Sequence, residues 1–530
     1  MTRPARDAWD GWTHFAAGLL IVAFAWACVL FVWQPTLATF ADDSVSYLVM
    51  AQVFSPYQPA TPAVAEAFAR EAFYPPLFPL LLALGGGAHN FAWAHALTAL
   101  LLAAALPFAY LLGQRWLGGR GSALAAVACI ALLPSLWINS KGILSESLFC
   151  LLLLKTCWVL NREEGAQAPA WQVALLMAAM ALTRTAALPM IAVYALWALS
   201  RRGQHAAERV RAMAPAIVAI AGYGLWVLVR PATSGDDYAH ILAERGQGFL
   251  DGPGGLLPAL SMSLLRQANA IVEGWAGSLM IFWVEGQPAR FALASAVGIL
   301  ALAGLALRIA RGKADGWMMA GYLATLLAWP FYEQMERFLF PALPVLVLYA
   351  FLAAGEALRA MSRKPAIAHT LLVCLMLSLS LPAMAFIRQR SQAAGRVALV
   401  TDWYRTPDLE RARRRAQTHL DLFDDMQAIR VLTRPEERVM WVAPSYIALL
   451  ADRRALLAPD ARLGPEAYRE AVRSSGADYV FLSRYHPRDT IRDTAWQAGV
   501  RALAGSAKAV HTSTLDDGST VTSILLRPAK

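Results

Sequence analysis

The chain is short of charge, and most of its absences point the same way. Only 16% of its 530 residues are Asp, Glu, Lys or Arg, against about 25% in ordinary soluble proteins. Cysteine is scarce. All five (Cys28, Cys129, Cys150, Cys157 and Cys374) fall inside apolar runs, so the last part of the chain has no disulfide framework. No CxxC or HExxH pattern occurs, which argues against a structural zinc site. No glycine-rich phosphate loop follows any strand-like stretch, and no internal repeat is visible.

What the sequence has in quantity is apolar surface, 58% of its residues, in long runs that stop near residue 387. A membrane span needs about 20 such residues. The candidates are 15–33, 89–112, 122–138, 143–160, 171–183, 186–199, 213–229, 291–307, 317–331, 338–358 and 366–387. That is about eleven spans, up to 13 if the apolar stretches 75–84 and 271–284 also cross rather than dip in from the outer surface. The first run is longer than a signal-peptide core of about 7–15 residues, so it reads as an uncleaved span.

The net charge of +10 is explained by orientation and not by nucleic acid. With the N-terminus inside, short inner loops hold Arg115, Arg120, Arg162, Arg201, Arg202, Arg209, Arg211, Arg308, Arg311, Lys313, Arg359, Arg363 and Lys364. The short outer connections hold little beyond Lys141, Arg184 and Arg337. The expected architecture is therefore an α-helical polytopic body, residues 1–388, with long outer loops at 35–74 and 230–290. A soluble α/β domain at 389–530 follows it on the outer side and is expected to be an accessory domain, not the catalyst. In that tail, strands are expected at 439–444, 455–457, 477–483, 509–514 and 520–526, with helices at 445–452, 465–474 and 490–503. The run Leu409 to Gln417 is basic and reads as a solvated helix face near the membrane.

Four places carry polar residues where apolar ones dominate. Just after the first run, Asp42 and Asp43 stand side by side, with Tyr47 one helical turn beyond Asp43. Adjacent carboxylates raise one another's pKa unless a cation or metal is near; equally, either could cap the helix that follows. Tyr74-Pro75-Pro76-Leu77 breaks one helix and starts the next. Glu146 opens the fourth run and Arg184 interrupts the stretch from 171 to 199, which suits a substrate cavity or a structural ion pair. Glu333 and Arg337 are four apart and could pair on one helix face, or Arg337 could point at an anionic ligand. The topology brings Asp42, Asp43, Glu146, Arg184 and Arg337 to one membrane surface.

Taken together, these motifs resemble the GT-C superfamily of membrane glycosyltransferases. The likeness is to the bacterial branch of the dolichyl-phosphate-mannose protein mannosyltransferase type, which includes aminoarabinose and galacturonosyl transferases. The matching residues are Asp43 and Tyr47, Tyr74-Pro75-Pro76-Leu77, Glu146, Arg184, and Arg337-Phe338-Leu339-Phe340-Pro341. Two positions depart: Ser46 and Tyr74 stand where the aminoarabinose branch has Arg and Lys. The departures shift phosphate binding onto Arg184, Arg337 or Arg230.

The resemblance implies a sugar donor on a polyprenyl phosphate and an acceptor hydroxyl on a glycan, lipid or protein. It implies Asp43 as catalytic base with Asp42 beside it. Arg184, Arg337, Glu146, Tyr47 and Tyr74 would bind donor phosphate or substrate. No cofactor is required, and a divalent metal beside Asp42 and Asp43 is allowed. The expected place is the bacterial inner membrane, with the C-terminus periplasmic. A transporter or flippase of a lipid-linked intermediate, or a non-catalytic scaffold for envelope assembly, are the rival classes.

Overall fold

The computed structural model describes residues 3–37, 42–161, 169–200, 205–231, 256–281, 287–329, 331–392, 395–484, 492–515 and 518–529. All eleven apolar runs are helical, and the lengths sort them. Six described helices are long and apolar enough to cross a membrane: Gly11–Val32, Phe91–Leu117, Glu208–Val229, Pro288–Ala310, Tyr332–Ala360 and Pro365–Ser391. A seventh is reached if Arg120–Ala131 and Pro134–Ser140, bent by 49°, count as one span. Pro134 makes that break, because it has no amide hydrogen to continue the helix. The other four, Glu146–Leu160, Ala170–Ala181, Ala187–Ser200 and Ala314–Ala328, have 12 to 15 residues. At 1.5 Å per residue they span roughly 18–23 Å, short of a hydrocarbon core of about 30 Å.

Neither of the two segments expected as long loops is a plain loop. The first contains the helices Asp42–Phe54 and Pro62–Glu71, the second of which starts on Pro62 with the Thr61 hydroxyl accepting from the Val64 amide. The apolar stretch 75–84 is an eight-residue helix, Leu77–Leu84, too short to span. In the second loop, Leu256–Met280 is a 25-residue helix; Arg266 and Glu273 lie along it, and it is not among the apolar six.

The tail carries a five-stranded sheet: β1 (Arg438–Trp441), β2 (Arg454–Leu457), β3 (Tyr479–Ser483), β4 (Ala507–Thr514) and β5 (Val521–Pro528), in the order β2-β1-β3-β5-β4. β2, β1 and β3 run parallel, and β5 and β4 close the sheet antiparallel. Helices Pro465–Ser474 and Arg492–Leu503 match the alternation read from the sequence. The basic run 409–417 is only the first third of a 24-residue helix, Leu409–Leu432, started by Asp408, whose carboxylate accepts from the Arg411 amide.

Three cores result. One lies among the membrane helices. A second joins the segment after the first long helix to the tail, with Tyr47, Leu48, Val64 and Phe78 in the same cluster as Trp403, Trp441, Tyr446 and Ile447. A small third lies under the sheet, around Tyr468 and Val480.

Candidate functional site

Asp43 lies in the first turn of Asp42–Phe54, and Tyr47 follows one turn later. The carboxylate of Asp43 does not serve as a simple cap. One oxygen accepts from the Tyr74 hydroxyl at 2.7 Å and the other from Nη2 of Arg337. Burial by itself would raise its pKa. The Arg337 guanidinium and the Tyr74 hydroxyl outweigh that and hold it below the usual carboxylate range. Asp42 opens the same helix, but its side chain lies outside the described residues.

Glu146 opens its own helix and is fully buried. It joins the two arginines: Oε1 accepts from Arg337 Nε at 2.6 Å, and Oε2 lies 2.8 Å from Arg184 Nη1. Arg184 also donates to Ser145 Oγ at 3.0 Å, and the Tyr47 hydroxyl lies 2.8 Å from the same oxygen. Arg337 completes its set with Gln334 Oε1 at 3.2 Å. Two carboxylates and two guanidiniums thus form one charge-balanced cluster, drawn from four distant parts of the chain. The alternative pairing of Arg337 with Glu333 does not form. The backbone from Tyr332 to Gln334 is a 3₁₀ turn and the α-helix starts only at Met335, so Glu333 points out and is exposed.

A small cleft opens beside the cluster. Tyr47, Tyr74, Arg184, Thr185, Tyr322 and Thr325 line it. The two arginines therefore differ. Arg184 faces the cleft, whereas the three nitrogens of Arg337 are taken by Glu146, Asp43 and Gln334. Next along the chain, Leu188, Pro189 and Ala192 form an apolar groove with Tyr223, Val227 and Leu228. Arg230 has a backbone role: it donates to the Phe73 carbonyl at 3.1 Å, while Trp226 donates to that of Tyr74 at 3.1 Å.

Among the described residues, no three His, Cys, Asp or Glu side chains converge as metal ligands. The sequence reading missed Ser145, although it adjoins Glu146, and Tyr322, a lone tyrosine within an apolar run. It also found no histidine–carboxylate pair in the tail, where the structure assembles one. Asp425 accepts from Ser513 Oγ at 2.6 Å and from Ser523 Oγ at 2.5 Å, and lies 3.0 Å from His511 Nε2. Ser513 and Asp425 both address the same ring nitrogen, so no relay through the imidazole exists. The cluster ties Leu409–Leu432 to the sheet.

No protein-family model matches the chain, and no curated protein does. Solved structures do. ArnT from Cupriavidus metallidurans in the apo state aligns over 98% of this chain and 98% of its own, at 11% identity and a TM-score of 0.53. ArnT bound to undecaprenyl phosphate aligns over 96% and 97%, at 12% identity and a TM-score of 0.51. The archaeal oligosaccharyltransferase AglB from Archaeoglobus fulgidus, in complex with an inhibitory peptide and a dolichol-phosphate, gives 97% and 76%, at 14% identity and a TM-score of 0.49. Over nearly its whole length the chain has the fold of ArnT.

Proposed function

We propose that the protein transfers a sugar from a polyprenyl-phosphate donor to an acceptor hydroxyl at the outer face of the inner membrane, with inversion. The observation that carries this reading is the convergence of Asp43, Glu146, Arg184 and Arg337 beside a cleft into which Arg184 faces. A phosphate in the cleft meets Arg184, whose planar fork suits its oxygens. The apolar groove alongside offers a path for a lipid chain. An ArnT structure holds undecaprenyl phosphate, a ligand of this chemistry.

The acceptor oxygen attacks the anomeric carbon as the bond from that carbon to the phosphate oxygen breaks. The acceptor proton passes to Asp43. The electron pair leaves with the lipid phosphate, which needs positive charge and no general acid. Attack opposite the leaving group inverts the centre, as in inverting glycosidases. Glu146 balances the two arginines, and Tyr74 and Arg337 aim Asp43. No step is routed through a metal. Hexosyl and pentosyl donors, and glycan, lipid and protein acceptors, fit this chemistry equally.

The test is transfer by the purified protein in detergent with a polyprenyl-phosphate sugar. An enzyme turns over there without a membrane gradient, whereas a flippase does not, and a scaffold tolerates loss of Asp43. Near wild-type turnover by Asp43→Asn would remove the base from this scheme. A reporter fused after Lys530 tests the orientation; activity on the cytoplasmic side would overturn the outer-face placement.

A further inference from the structure

One half-buried carboxylate lies between the tail and the helix that carries Asp43. Glu71 ends the helix Pro62–Glu71. It accepts a hydrogen bond from the Ser445 hydroxyl, in the single helical turn Pro444–Tyr446 that follows β1. It accepts a second from the hydroxyl of Ser46, three residues beyond Asp43 and adjacent to Tyr47. Both serines are buried, at 6% and 5% exposure.

The surroundings are apolar. Val45, Leu48, Val64 and Ala67 share a core with Trp441, Tyr446 and Ile447. Such contacts fix how deep a helix sits but are non-directional, so they resist its rotation and sliding weakly. A hydrogen bond to a carboxylate is directional and stronger than one between neutral groups. The connector is also anchored to the membrane body. Arg405 donates to Asn139 Oδ1 at 2.5 Å, and the Lys141 ammonium donates to the Phe31 carbonyl at 3.1 Å, 5.1 Å from the Tyr404 ring centre. The tail thus rests on fixed points at both ends of this contact.

We propose that Glu71 is a positioning residue: by taking one hydroxyl from the tail and one from the Asp42–Phe54 helix, it sets where Asp43 and Tyr47 stand. The tail is then part of the catalytic framework and not a detachable accessory. The proposal rests on the sugar-transfer reading for its kinetic test only.

The full-length protein with Ser445→Ala is the first experiment. Its kcat should fall about tenfold, because sub-ångström misplacement of a reacting group is costly. The donor KM should change less than kcat, since Arg184, the proposed phosphate contact, is held by Glu146 and Ser145 and not by Glu71. Ser445→Thr, which keeps the hydroxyl, should restore most of the rate. Wild-type kcat in Ser445→Ala, or no rescue by threonine, would overturn the assignment. So would a rate loss that only follows the loss of folded protein on melting.

Hydrogen exchange gives a readout independent of sugar transfer. Amides of residues 45–51 should exchange faster in Ser445→Ala and faster still in Glu71→Ala, and the double variant should add little to Glu71→Ala, because that change already deletes the Ser445 bond along with the Ser46 one. Unchanged exchange there would overturn the positioning role even if transfer is never observed. Altered exchange in a protein whose Asp43→Asn form transfers normally would leave the positioning role standing and sink the catalytic reading.

Discussion

Among the described residues, the helical body holds two buried arginine–carboxylate clusters, and they are built differently. At the turn between Pro288–Ala310 and Ala314–Ala328, Arg308 grips Asp315 with two nitrogens, at 2.9 and 2.6 Å. Asn161 and Tyr349 complete the carboxylate's shell at 3.0 and 2.8 Å, and Trp116 covers the guanidinium at 4.6 Å. Every oxygen of Asp315 has its donors and the cluster is closed on all sides. The Asp43 cluster has the same chemical types, but Arg184 faces a cleft and the Asp43 side chain keeps 21% of its surface exposed. Buried charge is thus common to both clusters, and the open side is what sets the Asp43 cluster apart. The closed cluster should serve stability and the open one chemistry, and each expectation below can break that division.

The largest effect is expected at Asp43. Asp43→Asn keeps the shape and removes the base, so transfer should fall by about 10²–10⁴-fold with melting nearly unchanged. Asp42→Asn should do less, and an equal loss at both would point to a coupled pair or a shared metal. The mirror experiment is Asp315→Ala. It strands Arg308 in the bundle and should cost on the order of 3–5 kcal/mol of stability, read as a lower melting temperature. Turnover per folded molecule should not change. A variant at Asp315 that melts normally but transfers poorly would erase the distinction between the clusters.

Smaller and more specific effects separate the two arginines. Arg184→Lys should raise the donor KM by on the order of tenfold, because a fork of donors to phosphate becomes a single point charge. Arg337→Lys should act on kcat, since its partners are Asp43 and Glu146. A change confined to the acceptor KM would count against both roles. With Asp43 held below the ordinary range, kcat/KM should show no acid limb from it between about pH 5 and 8. An acid limb near 6 that vanishes in Asp43→Asn would mean that Arg337 has let the carboxylate go.

The smallest effect lies in the tail. Burial, with the charges of Asp425 and Asp424 beyond it, pushes Asp421 up to about 6. The folded state then binds a proton more tightly than the unfolded chain, so stability falls as pH rises from the ordinary carboxylate range through that value. Asp421→Asn should raise the tail's melting temperature at pH 7 by a degree or two, roughly, and the gain should fade toward pH 4. A gain that grew with acidity would reverse the sign of this argument.

Much of the helical body was legible because an apolar run in a membrane protein allows few structures other than a helix. The members of the outer cluster were legible as exceptions within that pattern. Asp43, Glu146, Arg184 and Arg337 are polar where lipid would demand otherwise. Their partners were not. Arg337 pairs with Asp43 and Glu146, 294 and 191 residues away, and local spacing favoured Glu333 instead. The same limit hid Glu71, whose helix reads as an ordinary amphipathic one, and the contact of Asp425 with Ser513, 88 residues apart. In the tail, alternating strands and the Pro465–Ser474 helix stood out, whereas Leu409–Leu432 showed only its basic start.

The core shared by the segment after the first long helix and the tail also has a consequence in time. Glu71 and Ser445 are 374 residues apart. At about 5–20 residues per second, a ribosome needs roughly 20–75 s to travel from one to the other. Until then the helix that bears Asp43 lacks the part of its core that Trp441, Tyr446 and Ile447 supply, and no partly made chain holds the Glu71–Ser445 contact.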